Sequence, residues 1–102
     1  MSVNILVQTL AGGQEAKALF AYLIKQYRNK YKARVIMQIK LNNFCFYWLD
    51  TIKAYQVVKQ EHGIHKLARM VPEEGRDQIH MSTCLVLVTK SPMPSHRYTS
   101  ID

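Results

Sequence analysis

Acidic residues are scarce in this chain of 102 residues: seven Asp and Glu stand against fourteen Lys and Arg, a net charge of +7. A field of that sign favours anionic partners such as RNA or phosphate-rich surfaces. Cysteine is scarce as well. Cys45 and Cys84 sit inside apolar segments with no Cys-x-x-Cys spacing, so the expectation is two buried free thiols in a reducing compartment rather than a disulfide scaffold. No run approaches the roughly 18 uninterrupted apolar residues of a membrane-spanning helix. The N-terminus lacks a basic region followed by an apolar stretch. Membrane-spanning and secreted readings are therefore disfavoured, and a cytoplasmic location is expected. There is no Gly-x-Ser-x-Gly elbow, which sets aside a triad hydrolase of that type, and there is no internal repeat or low-complexity tract. Charged residues make up only 21% of the chain and apolar residues 48%, too apolar a balance for a disordered segment. A single compact domain with a genuine core is what this length supports.

The hydrophobic periods divide the chain into seven pieces. Val3 to Thr9 is rich in branched aliphatic residues and predicts a first strand, broken at Ala11-Gly12-Gly13. Ala16, Leu19, Phe20, Leu23, Ile24, Tyr27 and Tyr31 then recur on one helical stripe, while Lys17, Lys25, Arg28 and Lys30 lie off it. From Arg34 the period becomes two: Val35, Met37, Ile39 and Leu41 predict one face of a half-buried strand that turns at Asn42-Asn43. Phe44 to Leu49 is apolar on both sides, as in a central or covered strand. Asp50 or Thr51 is the expected cap of a short helix running to about Glu61, with Ile52, Tyr55 and Val58 or Lys59 on one face and Gly63 ending it. Two more strands, Ile64 to Val71 and Gln78 to Lys90, are expected to flank an acidic loop from Pro72 to Asp77. Beyond them, Ser91-Pro92-Met93-Pro94-Ser95-His96 cannot continue a ladder. This β-α-β-β-α-β-β order predicts an α+β fold, a mostly antiparallel sheet of about five strands packed with two helices in a single domain.

Gly12-Gly13-Gln14 invites a catalytic reading, because paired glycines bring backbone amides close to a ligand while a glutamine positions water. The same residues also make a strand-to-helix turn, with Glu15 in the first helical turn where a carboxylate suits the helix dipole. His62, His65 and His80 with Glu61 are chemically suitable metal ligands, but their spacing matches no metal motif, and hydrogen bonds to backbone or solvent are the expected use of these histidines. No metal and no cofactor are expected. Basic residues cluster at Lys25 to Arg34 and again at Lys59, Lys66, Arg69 and Arg76. Point charges of this kind suit phosphates. Tyr27 and Tyr31 continue the apolar stripe and belong to the core, so only the cations argue for RNA.

Several motifs in order resemble the stop-codon-recognition domain of bacterial and organellar class I peptide chain release factors. Gly12-Gly13-Gln14-Glu15-Ala16 is similar to that family's Gly-Gly-x-Glu-Ala turn, followed by Phe20, Leu23 and Tyr27 at its apolar and Tyr positions. Tyr55, Lys59, Glu61, Gly63, Ile64, His65, Lys66, Leu67 and Arg69 resemble the family's Tyr-x3-Lys-x-Glu-x-Gly-Val-His-Arg-Val-x-Arg. Gln78-Ile79-His80-Met81-Ser82 then resembles Arg-Ile-His-Thr-Ser. The resemblance covers most of the chain, implying a release-factor-like domain over residues 1–90 and an exit linker or tail over 91–102.

It also implies that Gly12, Gly13 and Glu15 form a structural turn, since the ester-hydrolysing Gly-Gly-Gln of release factors lies in a separate domain. At the family's codon-reading tripeptide, Pro-x-Thr or Ser-Pro-Phe, this chain has Val71-Pro72-Glu73, and a carboxylate there is expected to weaken codon contact. Lys66 stands at a usual arginine. The implied RNA- or ribosome-binding residues are Lys66, Arg69, Val71, Pro72, Glu73, Arg76 and His80. The implied partner is the ribosome, through its RNA and the stop codon, or a complete release factor that the domain assists or competes with. The chain spans neither the family's N-terminal helical domain nor its catalytic domain, so the expectation is an excised or a stand-alone domain. Two other readings stay open: a small ribosome-rescue hydrolase using Gly12-Gly13-Gln14, and a protein-binding module that kept only the fold.

Overall fold

A computed structural model describes residues 2–73 and 75–91. The tail expected to leave the sheet lies, from residue 92 onward, outside the described residues. Five strands and two helical segments follow in the expected order: β1 (Ser2–Ala11), α1 (Gly13–Lys30), β2 (Arg34–Lys40), β3 (Cys45–Thr51), α2 (Tyr55–Val58) with a 3₁₀ turn (Lys59–Glu61), β4 (Gly63–Glu73) and β5 (Arg76–Ser91). All four pairings are antiparallel, in the spatial order β2-β3-β1-β5-β4. The fold is α+β, as the periodicity predicted.

The core lies between α1 and one face of the sheet. Alternation along β1 sends Val3, Ile5 and Val7 to the helix side, where the register sets them beside Leu49 of β3 and Val86 and Val88 of β5. Onto these pack Ala16, Leu19, Phe20, Leu23, Ile24, Tyr27 and Tyr31, every residue of the expected stripe, all buried. Both cysteines are free and buried, and Cys84 is fully inaccessible beside the Ala16 carbonyl. Burial pushes the Cys84 thiol up to about 11, with the charge of an ionised Cys45 adding to the shift.

Where α1 ends, the chain is tied down by polar contacts that the periodicity does not encode. The hydroxyls of Tyr27 and Tyr31 donate to Glu61 at 3.1 and 2.7 Å, and Lys30 approaches the same carboxylate at 3.7 Å. Burial and the neighbouring Glu61 charge hold the Tyr27 phenol far above its ordinary range. Glu61 thus tethers the end of α1 through both tyrosine hydroxyls. His62 Nδ1 accepts the Val88 backbone N–H at 2.9 Å, and His65 Nε2 lies 2.7 Å from the Glu61 carbonyl. Among the described residues no three His, Cys, Asp or Glu side chains converge on one point.

Three expectations are corrected. The second helix starts at Tyr55, not after Asp50 or Thr51: the Asp50 carboxylate is taken by Arg34, and Thr51 Oγ1 accepts the Lys53 N–H at 3.1 Å in a local turn ahead of the helix. Asp50 holds Arg34 with two bonds of 3.1 Å, and Thr51 Oγ1 donates to the Tyr31 carbonyl at 2.5 Å. Ile52, expected on the helix's buried face, is 90% exposed. Strand β2 is not half-buried on a Val35-Met37-Ile39-Leu41 face. A register shift between Val35 and Met37 inserts Ile36 as an extra residue, so Val35 pairs with Leu49 under the helix while Met37 pairs with Trp48 on the opposite side. The third correction, the loop between the last two strands, belongs to the candidate site. Phe46 and Trp48 also face away from α1, and they are half-buried rather than covered. Trp48 Nε1 donates to Asn4 Oδ1 at 3.0 Å on that open face.

Candidate nucleic-acid interface

Strand β5 has 16 residues, and only Thr83 to Ser91 pair with β1. From Arg76 to Ser82 it pairs with β4 alone, Leu67 to Glu73. The result is a two-stranded ribbon about 20 Å long that projects past the end of β1. It is exposed at Leu67, Met70, Ile79 and Met81. A hairpin of this kind has little stability of its own, so its attachment to the body decides where its tip points.

That attachment is the turn between β1 and α1. Gly12 has φ +115°, and a Cβ there would lie 2.8 Å from the Met81 carbonyl oxygen and 3.0 Å from Ser82 Cα. The backbone of the turn therefore presses directly on β5, as only glycine allows. At the third residue of the helix, Glu15 reaches across: its carboxylate pairs with Arg69 of β4 at 2.5 Å and lies 3.9 Å from His80 Nδ1 of β5. Arg69 and His80 face each other in the ladder, so the Glu15 carboxylate ties β4 to the helix N-terminus through Arg69 and stands close to β5. The Gly-Gly-x-Glu sequence is the anchor of the hairpin. Gln14 lies beside it in a shallow hollow with Tyr22, Leu67 and Arg69, and the carboxylate of that hollow, Glu15, is already taken up by Arg69.

Of the sequence-derived interface residues, all but Lys66 fall on this ribbon, and Lys66 sits at its base on the rung where β5 already pairs with β1. Lys66 is exposed opposite Thr83, and Arg69 opposes His80 on the helix side. Val71 opposes Gln78, Pro72 opposes Asp77, and Glu73 opposes Arg76 at the last rung. The tripeptide Val71-Pro72-Glu73 was expected to reach into a six-residue loop. Instead the ladder continues through Glu73 and resumes at Arg76, so the turn is two residues long, with Gly75 supplying φ +75°. Pro72 is tolerated because β4 is the edge strand of the sheet, where a missing N–H need not break a ladder. The chain thus presents a short-turned hairpin tip with Arg76 on its final rung.

The PCRF domain family has a model that matches residues 1–86, which run from the start of β1 into the part of β5 that pairs with it. The chain belongs to the PCRF domain family. It is a release-factor-type domain, and its function is release-factor-related. For a PCRF domain the match places the whole anchor, the ribbon and the Tyr27-Tyr31-Glu61 cluster inside the family unit. No helix among the described residues is long and apolar enough to cross a membrane.

Sequence reading had no signal for the Glu15-Arg69 contact, whose residues are 54 apart in the chain, or for the pairing of Glu61 with two core tyrosines. The match of Gly12-Gly13-Gln14-Glu15 to a turn motif was the one available clue to the anchor.

Proposed function

We propose that this PCRF domain is a non-catalytic, ribosome-directed module that docks its β4–β5 ribbon onto RNA. The observation that carries the reading is the ribbon itself: an exposed hairpin bearing Lys66, Arg69, Arg76 and His80, held at a fixed angle by Glu15 and Gly12, within a release-factor-type domain. Phosphates are met by Lys66 and Arg76 as point charges. Val71, Pro72 and Glu73 form the other strand of the tip, opposite Gln78, Asp77 and Arg76. A carboxylate at Glu73 opposes close approach to RNA, so docking is expected to depend little on which codon is present. In this reading residues 1–90 are the docking unit and 91–102 a linker, the location is cytoplasmic, and the domain assists or competes with a complete release factor. It requires no metal or cofactor.

The test is cosedimentation with ribosomes carrying a stop or a sense codon in the A site, across a salt series, with peptide release followed in the same tubes. Salt-sensitive binding without release, weakened by Arg76→Gln, is the expected result. Peptide release that disappears in Gln14→Ala would overturn it in favour of a rescue hydrolase. The uncovered sheet face around Trp48 favours a second reading, a protein-binding module. Binding that ignores salt would select that one.

A further inference from the structure

On the opposite side of α1 from the ribbon anchor, a groove of about 890 Å³ runs between the helix and the β2–β3 edge. Its walls carry Lys17, Lys25, Arg28 and Lys32 on one side and Lys40 on the other, with no acidic residue in the lining. The three cations within α1, with Lys32 just past its end, fall in an arc of about 80° at 100° per residue. They therefore form one row, and Lys17 to Arg28 alone span about 16 Å of helix. Among the described residues none of the five has a carboxylate partner, and every recorded ion pair involves other cations. A merely solvated helix face intersperses both signs. Here α1 carries four cations and the single acid Glu15, which is committed to the ribbon at the far end.

Two further features distinguish the groove from a charged surface. Its floor is apolar and aromatic: Phe20, Ile24, Cys45 and Tyr47, with Phe20 and Tyr47 packed edge to face at 5.0 Å and Lys40 lying 5.8 Å from the Tyr47 ring centre. Lys32 also holds φ +54°, the left-handed position that closes α1, where glycine would be the unstrained choice. The sequence thus keeps a cation where the backbone disfavours any side chain.

We propose that this groove is a second docking surface, separate from the ribbon, that takes a segment of single-stranded RNA, phosphates along the cation row and unpaired bases against the aromatic floor. Duplex RNA would meet the cations and leave the floor unused. An acidic peptide would satisfy the charge but has no flat rings to lay on Tyr47, the half-buried ring that the core residue Phe20 backs edge to face. The inference extends the RNA-directed reading of the domain but stands on different residues, so either can fail alone.

The test is fluorescence anisotropy of the full chain with a labelled 12-nucleotide oligo(U), a duplex RNA of the same length and a poly-glutamate peptide, between low and moderate salt. Lys25→Gln/Arg28→Gln is expected to weaken oligo(U) binding at least 10-fold and to reduce the salt slope by about 1.4, two contacts at about 0.7 each for single strands. Lys32→Gly is the variant whose fold is not in question. It is expected to keep or raise the melting temperature while weakening oligo(U) binding several-fold. Unchanged oligo(U) affinity in both variants would overturn the proposal, as would equal affinity for the duplex or for poly-glutamate. If Arg76→Gln abolishes ribosome binding while the groove variants bind ribosomes and oligo(U) normally, the ribbon reading stands and the groove fails. If the chain ignores ribosomes yet binds oligo(U) through the groove, the reverse holds.

Discussion

Replacing Gly12 by alanine tests the anchor most directly. Two costs are fixed by the geometry. At φ +115° an L-residue is strained, which costs of order 1–3 kcal/mol. The new Cβ would also lie 2.8 Å from the Met81 carbonyl oxygen and 3.0 Å from Ser82 Cα, both backbone atoms of a paired strand that cannot rotate away. Relieving such a contact shifts backbone and adds roughly another 1 kcal/mol. A total of about 2–4 kcal/mol follows, a large share of the roughly 5–15 kcal/mol that a domain of this kind has. Gly13→Ala is the built-in control: its φ is +53°, inside the left-handed region that other residues enter, and nothing lies within 4 Å of its Cβ position, so about 1 kcal/mol is expected. Urea denaturation followed by Trp48 fluorescence measures both. With a slope near 1.5 kcal/mol/M, Gly12→Ala lowers the midpoint by about 1–2.5 M. Amide exchange should also quicken over residues 66–82, where the ribbon loses its seat. A Gly12→Ala midpoint within 0.3 M of the parent, or equal losses for the two glycines, would refute the argument that the turn is pressed against β5.

Glu15→Gln is expected to cost less than about 1 kcal/mol globally, since the Arg69 pair is largely exposed, yet to raise ribbon exchange rates several-fold. Unaltered exchange would show that the pair does not hold the ribbon. Tyr31→Phe removes the 2.7 Å donor to Glu61 and should cost about 1–2 kcal/mol, read as a fall in melting temperature of roughly 4–12 °C. Alkaline pH should destabilise the fold. Cys84 holds its proton up to about 11 when folded, against 9.0 unfolded, so its contribution is complete below pH 9 and lost between pH 9 and 11. Tyr27, raised above 10.0, extends the decline beyond pH 10. Cys84→Ala should flatten the pH 9–11 part of the curve, and stability that stays level from pH 9 to 11 in the parent chain would contradict it.

How far the fold could be read in advance depended on where each signal lay. The α1 stripe was legible because one helix face meets one sheet face, so the 3.6-residue period survives intact through Tyr27 and Tyr31. Strand β2 misled because its alternation was real but interrupted: one extra residue at Ile36 sends Val35 and Met37 to opposite sides, and no local residue announces a bulge. The last hairpin was read as too loose because proline and two glutamates resemble a loop, whereas an edge strand accommodates them. Asp50 and Thr51 looked like caps, but Arg34 claims the Asp50 carboxylate from the neighbouring strand, and Thr51 accepts the Lys53 N–H in a turn that the helix does not continue. The positions of the interface residues along the ribbon followed from the motif order. Their attachment through Glu15 did not, since a contact between the first helical turn and a strand far along the chain leaves no periodic trace.

The place of β1 in the sheet also governs how the chain can be made. It is the central strand of the sheet, and one of its two neighbours, β5, is the last of the described strands along the chain, with Ser2 pairing with Ser91. Until β5 has left the ribosomal exit, Val3, Ile5 and Val7 have no Val86 or Val88 beside them, and one edge of β1 stays open. Closure of the long loop between β1 and β5 must precede their pairing, which makes completion of the sheet a late and comparatively slow event. A nascent chain stalled before β5 would carry an aliphatic strand paired with β3 on one side only, a species prone to edge-to-edge association.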